Sequence, residues 1–296
     1  MLAARVLAAA DDLDRSAQAA LARAFQLFLL LHVTARTLLW TLRAQQGMHD
    51  EWWLGRYAMT ATLAAAGLVA WRLPRHARAA TWLALGVLSI KLAASFPATS
   101  NHFFIEYLCV ALLALCDLDA ADERALLLSG ARCLTLIVLF WSGMQKVLYG
   151  TYFNASFLGF AISSKPSFAA LFSWVVPAAE VARLRAVRPI GPGAGPFNIE
   201  TPLALVMANG VYVFEMLAPL LLLIRRTRAA AAVATIAFVF CIEAGALELM
   251  FGALFLNLLL LFLPRPLNRT LLPGFAALYA VLIASRLGVL PRFWFN

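Results

Sequence analysis

Long runs of apolar residues recur along this chain, and polar residues are concentrated in the short stretches between them. A helix needs roughly 20 mostly apolar residues to cross a bilayer. The pattern predicts helices near 18–42, 57–73, 77–96, 102–118, 124–149, 203–224, 229–247, 249–264 and 270–290. Several runs are short or tightly connected, so we expect about eight or nine transmembrane helices. The pattern therefore predicts an all-α, polytopic integral membrane bundle.

The stretches outside these runs predict the remaining organisation. Residues 155–180 are apolar but are broken by the sequence SSKP, which indicates a re-entrant or interfacial piece. Residues 183–202 are rich in proline and glycine and predict an extracytoplasmic loop within a transmembrane domain that covers 18–290. Residues 1–17 favour a cytoplasmic or interfacial amphipathic helix over a signal peptide, and 291–296 predict a short tail. No soluble domain is predicted.

The composition excludes several classes of protein. The chain is 63% hydrophobic and 13% charged, whereas soluble domains have roughly 25% charged residues. The net charge of +9 does not indicate nucleic-acid binding, because no compact basic domain is present. Arginines that flank helices explain the positive charge better. The four cysteines lie in apolar runs without a CxxC motif, which favours packed core thiols over a redox pair.

The distribution of arginines predicts the orientation in the membrane. Short loops that are rich in arginine lie on the cytoplasmic side. With the N-terminus in the cytoplasm, three clusters lie inside: Arg72, Arg75 and Arg78; Arg225, Arg226 and Arg228; Arg265 and Arg269. The three arginines at 183–188 fall outside on this path, in a longer loop that tolerates them. The same path brings the end of the 124–149 helix and the start of the 102–118 helix to the extracytoplasmic side.

Lys146 lies near the end of the apolar run LTLIVLFWSGMQKVLYG. A charged side chain costs about 2.5–3.5 kcal/mol at the centre of a membrane helix. The chain has three lysines and 21 arginines, so it normally supplies positive charge with arginine. Three explanations stay open. Lys146 snorkels to the interface, pairs with an acid, or loses its proton and acts as a base.

The residues around this lysine allow two interpretations. In the first, Phe140, Trp141 and Tyr149 line a pocket for an aromatic ring. Gly143 and Gln145 belong to the same pocket, because a small residue one turn away from Lys146 leaves room for a ligand. In the second, the aromatic residues form the belt that anchors membrane helices at the interface.

Asn101 and His102 open the run NHFFIEYLCVALLALCD. Glu106 lies one turn after His102 on the same helix face, where a carboxylate can orient an imidazole and raise its basicity. These three residues are therefore candidates for catalysis together with the lysine. In the alternative interpretation, Asn101 caps the helix, His102 lies among lipid headgroups and Glu106 makes an ordinary polar contact.

Glu215 and Glu243 lie in the middle of apolar runs, where a carboxylate is normally paired or functional. Glu215 would help to bind a substrate, or a structural ion pair such as Glu215–Arg132 would explain it without chemistry. Arg36 and Lys91 are further possible partners. The chain has no metal-ligand motif, phosphate loop or nucleophile motif, so we expect no metal site.

Three segments resemble, in order, the membrane domain of the vitamin K-dependent γ-glutamyl carboxylases. The segments are NHFFIEYLCVALLALCD, FWSGMQKVLYGTYFNASFLGF and VYVFEMLAPLLLLIRRTRAAAA. They also resemble bacterial relatives of these enzymes, the horizontally transferred transmembrane (HTTM) proteins, which include maturation factors of sporulation-delaying peptide toxins. The resemblance covers roughly residues 15–290, and its most specific part is the aromatic-x-G-x-x-K element.

The resemblance implies a function for Lys146 and His102. It implies that Lys146 is the base that deprotonates a reduced, vitamin K-like quinone, with oxygen as a further reactant, and that His102 assists. It also implies a bacterial cytoplasmic membrane. We expect no counterpart of the large lumenal region that binds the peptide in the carboxylases. A small peptide substrate would therefore be recognised by 150–202 or by a separate soluble subunit, and carboxylation itself is not implied.

Three functions remain open at this point. The first is a quinol-dependent enzyme that uses Lys146. The second is a non-catalytic factor for the maturation or export of a hydrophobic peptide, in which the lysine is an anchor. The third is a proton-coupled transporter with Glu215 and Glu243 as proton sites. Replacement of Lys146 by arginine separates the first two, because arginine pairs and snorkels but does not give up its proton.

Overall fold

The fold is built from helices alone in the part of the chain that the computed structural model describes. This part comprises residues 14–45, 53–97, 100–188, 195–246 and 248–289, which form α-helices and two short 3₁₀-helices without any strand. The all-α prediction is therefore confirmed. Most of the predicted N-terminal segment and the tail at 291–296 lie outside the described residues.

The α-helices are numbered here in chain order. They are α1 (Arg15–Gln45), α2 (Trp53–Arg72), α3 (Ala77–Ser95), α4 (Asn101–Leu115), α5 (Ala121–Tyr149), α6 (Ser156–Ser164), α7 (Pro166–Phe172), α8 (Ala178–Ala186), α9 (Pro202–Leu223), α10 (Arg228–Ala246), α11 (Leu249–Leu260) and α12 (Arg265–Arg286). The 3₁₀-helices are Pro74–His76 and Gly195–Phe197. Each of the nine apolar runs in the sequence corresponds to one of these helices.

Among the residues that the structure describes, six segments are long and apolar enough to cross a membrane. They are Arg15–Leu42, Pro74–Ser95, Ala121–Tyr149, Pro202–Leu223, Arg228–Ala246 and Arg265–Ser285. The apolar helices α4 and α11 are shorter, with 15 and 12 residues. Many large apolar side chains on these helices are exposed, as expected for surfaces that face lipid. These features describe an integral membrane protein.

The first turn of α1 is capped by an acidic side chain. The Asp14 carboxylate accepts hydrogen bonds from the Ala17 amide at 2.7 Å and from the Ser16 hydroxyl at 2.6 Å. Amides in the first helical turn have no partner within the helix, and aspartate is among the best residues to supply one. The cap explains why the helix begins at Arg15, three residues before the predicted start.

The chain divides into two compact units, and the first takes its described residues from 1–134 and 250–293. In this unit, α1 packs against α2, α4 and α12, and α3 packs against α2 and α4. Leu29, Leu30, Leu63 and Leu88 are completely buried in it. Helix α5 begins in this unit and continues into the second.

The second unit takes its described residues from 135–249. Helix α9 packs against α10, and α6 packs against α7, α8 and the second 3₁₀-helix. The contact between α6 and this 3₁₀-helix depends on Gly159, where a Cβ atom would lie 1.9 Å from the Phe197 carbonyl oxygen. Leu158, Ile162 and Leu184 surround this crossing and form its apolar core.

The predicted interruption at 155–180 appears as three short helices, α6, α7 and α8, of 9, 7 and 9 residues. None of the three is long enough to span a bilayer. The predicted loop at 183–202 begins too early, because α8 continues to Ala186. Two contacts hold its last turn, since Leu184 is buried and Arg183 donates hydrogen bonds to the Pro196 and Asn198 carbonyls.

Helix α9 contains an internal proline and ends at a side-chain cap. Pro219 lies within the helix, where membrane helices tolerate proline better than soluble ones do. At the C-terminal end, the Arg228 guanidinium donates hydrogen bonds to the Leu222 and Leu223 carbonyls, both at 3.0 Å. These carbonyls would otherwise lack partners within the helix. The arginine thus has a local structural role.

Candidate functional site

The candidate site in the second unit is an ion pair between the last turn of α5 and the middle of α9. The Lys146 Nζ lies 2.9 Å from Glu215 Oε1 and 2.7 Å from Oε2. The side chains are 18% and 6% exposed, respectively. A charged pair in this position is stabilised mainly by the contact itself, because each charge alone would be costly to bury. Of the three explanations for Lys146, pairing with an acid is the one observed.

Gly143 allows the two helices to approach closely enough for this pair. A Cβ atom at this position would lie 2.7 Å from Met216 Cγ and 2.9 Å from the Tyr212 carbonyl oxygen. The prediction that Gly143 leaves room for a ligand is therefore wrong, since α9 fills this space. The glycine instead brings Glu215 to the lysine.

Two further residues of the second unit lie close to the Lys146 nitrogen. Ser142, one turn earlier on α5, accepts a hydrogen bond from the Lys146 Nζ at 2.8 Å. The Tyr152 ring follows α5, and its centroid lies 5.4 Å from the same nitrogen. Burial raises the pKa of Tyr152, and the Glu215 carboxylate raises it further. Tyr152 therefore remains a neutral phenol beside the ion pair at ordinary pH.

The aromatic residues that were predicted to form a ring pocket lie at the protein surface. Phe140, Trp141 and Tyr149 are exposed, and Gln145 is half-buried. This placement is typical of side chains that face lipid or the interface. Their role in binding a quinone stays a prediction.

The remaining predicted residues lie in the first unit, at the start of α4. Asn101 is exposed and is the first residue of the helix, so the predicted cap at Asn101 is wrong. Ser100 occupies the N-cap position instead, and its hydroxyl oxygen accepts a hydrogen bond from Arg36. The His102 ring stacks on Phe251, with 4.0 Å between ring centroids.

Glu106 is buried and forms its described contacts with α1. Its Oε1 atom lies 2.8 Å from His32 Nε2 and also accepts a hydrogen bond from Arg36. His32 and Arg36 are one turn apart on α1, which explains how both reach one carboxylate oxygen. The predicted interaction of Glu106 with His102 stays a prediction, whereas its pairing with α1 is observed.

Other ionisable residues of the two units have local partners. Arg132 Nε donates to the Leu261 carbonyl at 2.9 Å, and Glu215 pairs with Lys146. Lys165 donates to the Ala246 carbonyl at 3.0 Å. Lys91 is buried and donates to the Thr37 hydroxyl at 3.2 Å. The proposed Glu215–Arg132 pair stays a prediction.

Among the described residues, no group of three or more histidine, cysteine or acidic side chains could hold a metal ion. The four cysteines are free thiols, and Cys109 and Cys116 are buried. The groups that can carry chemistry are therefore the Lys146–Glu215 pair in the second unit and the polar residues around Glu106 in the first. Both sets contain hydrogen bonds between ionisable groups.

Sequence reasoning missed His32, Tyr279 and Asn257, which lie with Glu106 in the first unit. The signal for His32 was its position four residues before Arg36 inside an apolar run. Such polar residues within a membrane helix normally face the protein interior. Tyr279 and Asn257 had no comparable signal, because both occur singly in leucine-rich runs.

Comparisons of this chain with protein-family models, with curated proteins and with solved structures found no match.

Proposed function

We propose that this integral membrane protein is an enzyme in which Lys146 removes a proton from a hydroxyl group of a lipid-soluble substrate. The observation that carries the proposal is the contact between the Lys146 Nζ and both oxygens of Glu215, at 2.9 and 2.7 Å. A proton in such a pair can move between nitrogen and oxygen. Lys146 is the more exposed member of the pair, so a ligand reaches the lysine first.

The pair must lose its charges before the lysine can act as a base. In the ion pair, Lys146 already carries its proton, so that proton first moves to Glu215. Within a membrane protein, the desolvation of two charges offsets much of their attraction, which brings the neutral amine and neutral acid within reach. Ser142 holds the amine in place in both states. Glu215 is thus the proton store and Lys146 the base.

A reduced quinone is the substrate that fits these groups best. Its phenolic hydroxyl is acidic enough to give a proton to an amine, and its apolar ring dissolves in the bilayer. When bound, it would supply two electrons, with oxygen as the acceptor. Lys146 would contact the hydroxyl group, and Tyr152, whose ring lies 5.4 Å from the lysine nitrogen, would lie against the substrate ring.

The test is oxygen uptake by the purified protein in detergent with a reduced naphthoquinone. We expect uptake by the wild type and a decrease of at least about 100-fold in Lys146→Arg, since general bases contribute that much or more. Arginine keeps the contact with Glu215 but does not release a proton. Lys165→Arg is the matched control and should keep full uptake. Equal uptake by wild type and Lys146→Arg would contradict the proposal.

If the ion pair only joins α5 to α9 and takes part in no reaction, it favours a second function. The chain would then be a non-catalytic factor that holds a hydrophobic peptide for maturation or export. Large apolar side chains of the second unit are exposed and could contact such a peptide; they include Trp141, Leu148, Tyr149 and Trp174. This function predicts that the protein neither takes up oxygen nor binds a quinone, and that Lys146→Arg handles the peptide as the wild type does.

We further propose that the chain is related to the HTTM proteins and that its N-terminus lies in the cytoplasm. The relationship is supported by the three segments that resemble the carboxylase membrane domain. The orientation is supported by the arginine clusters at 72–78, 225–228 and 265–269, which all lie on the inner side when the helices α2, α4 and α11 cross the membrane together with the six spans named above. On this topology, Lys146 lies near the extracytoplasmic side of the membrane.

A further inference from the structure

Four helices of the first unit contribute one polar side chain each to a buried row of hydrogen bonds. The residues are His32 on α1, Glu106 on α4, Asn257 on α11 and Tyr279 on α12, and they are 0%, 1%, 2% and 0% exposed. Polar groups at these positions in apolar helices are expensive and are typically functional. The Lys146 chemistry proposed above does not use them.

The His32 ring is held at both nitrogens. Its Nε2 lies 2.8 Å from Glu106 Oε1, and its Nδ1 lies 3.0 Å from the Tyr279 hydroxyl. A tyrosine hydroxyl can donate to a neutral nitrogen or accept from a protonated one. Asn257 Nδ2 supports the hydroxyl from the other side, at 2.5 Å. His32 therefore finds hydrogen-bond partners both as a neutral ring and as a cation.

Glu106 connects this ring to the surface. Arg36 donates one hydrogen bond to Glu106 Oε1 and another to the Ser100 hydroxyl at 2.9 Å. The Arg36 side chain is 22% exposed, and Ser100 is exposed. Glu106 Oε2 is buried and accepts no hydrogen bond from the described residues. The carboxylate thus lies between a buried imidazole and an exposed rim, with one oxygen available for a proton.

We propose that His32 is a buried proton store that Glu106 loads and unloads from the rim formed by Arg36 and Ser100. In the transfer step, the neutral Glu106 carboxyl turns so that the proton taken up at its free oxygen faces His32 Nε2, which carries no proton in this state. The proton then moves across this contact, which is 2.8 Å long, to Nε2. The products are a carboxylate and an imidazolium whose Nδ1–H donates to Tyr279. The charged groups near the store are on three helices. Arg36 on α1 contacts Glu106 on α4, and Lys91 on α3 interacts electrostatically with the same carboxylate.

Nitrogen-15 labelling of histidine makes this proposal testable, because the chain contains only four histidines. NMR of the full-length protein in detergent reports which ring nitrogens carry a proton. His32 should gain its second proton reversibly on acidification, while the fold is retained. A His32 ring that keeps one protonation state at every pH at which the protein stays folded would overturn the proposal. The variant His76→Asn loses the signal of the exposed His76, which assigns that signal. The signal of His32 should stay unchanged in this variant.

The role of Glu106 is tested by exchange of the His32 ring N–H with water. Glu106→Gln keeps an acceptor oxygen opposite Nε2 but does not carry a proton. We expect exchange at His32 to slow at least about tenfold in this variant. Tyr107→Phe is the matched control, because its hydroxyl contacts Ser89 on α3 instead of this row, and it should exchange at the wild-type rate. Equal exchange in Glu106→Gln and wild type would overturn the relay, and the wild-type titration decides the proposal if that variant does not fold.

Discussion

Glu215 places both of its carboxylate oxygens within hydrogen-bond distance of the Lys146 Nζ, although 69 positions separate the two residues in the chain. The contact joins the end of α5 to the middle of α9. This one contact explains why two charged side chains occur inside apolar helices. It also creates the position at which a proton can pass between two side chains.

Removal of one partner should destabilise the protein strongly, because the other charge is left without compensation. For Glu215→Leu we expect a loss of about 3 kcal/mol in the free energy of unfolding in detergent. The double variant Lys146→Met, Glu215→Leu should recover most of this loss but show no oxygen uptake. A double variant that is as unstable as the single one would show that the helices need the charges themselves.

Gly143→Ala should destabilise the protein by about 1–3 kcal/mol, because the added methyl group overlaps Met216 Cγ and the Tyr212 carbonyl. The same overlap should move Glu215 away from Lys146 and lower oxygen uptake. Gly210→Ala on α9 is the matched control. A Cβ atom there meets nothing within 4 Å, so this variant should be neutral or slightly stabilised. Thermal unfolding of both variants in detergent provides the comparison.

The cap of α1 should make stability depend on pH in the acid range. The Ser16 hydroxyl and the Ala17 amide hold the pKa of Asp14 below its ordinary value of 3.8. A carboxyl group whose pKa is lowered on folding stabilises the folded state at pH values above its ordinary pKa. This contribution disappears as the pH falls through the pKa of the folded state. Asp14→Asn keeps the cap without the charge. The difference in unfolding temperature between wild type and Asp14→Asn should therefore shrink on acidification and stay constant above about pH 5.

The proposed orientation predicts which loops a membrane-impermeant thiol reagent labels in intact cells. In a background without the four native cysteines, Glu200→Cys should be labelled from outside. Arg75→Cys should be labelled only after the membrane is opened. Both side chains are exposed, so access to the thiol does not limit the reaction. Labelling in the opposite pattern would reverse the orientation.

The apolar runs were sufficient to predict the helices because membrane spans are set by length and hydropathy. Boundaries were less accurate where a side-chain contact decides them. The start of α1 depends on the Asp14 cap, and the extension of α8 depends on Arg183 and on the burial of Leu184. These contacts reach residues at other positions in the chain, which a hydropathy pattern does not record.

The charged residues of the site were recognised, but their partners were not. Membrane energetics indicated Lys146, Glu215 and Glu106 as residues that need an explanation. Which groups pair depends on how closely the helices approach, and Gly143 decides this for Lys146 and Glu215. His32 was overlooked because a single histidine in an apolar run resembles an ordinary core residue.

Pro219 follows Glu215 by four positions on α9. Proline has no amide hydrogen, so the backbone carbonyl of Glu215 lacks its usual partner in the helix. The residue that accepts the lysine through its side chain therefore also has a spare acceptor on its backbone. Helices bend most easily where such a bond is missing. A bend of α9 at this turn would therefore also change the distance between Lys146 and Glu215.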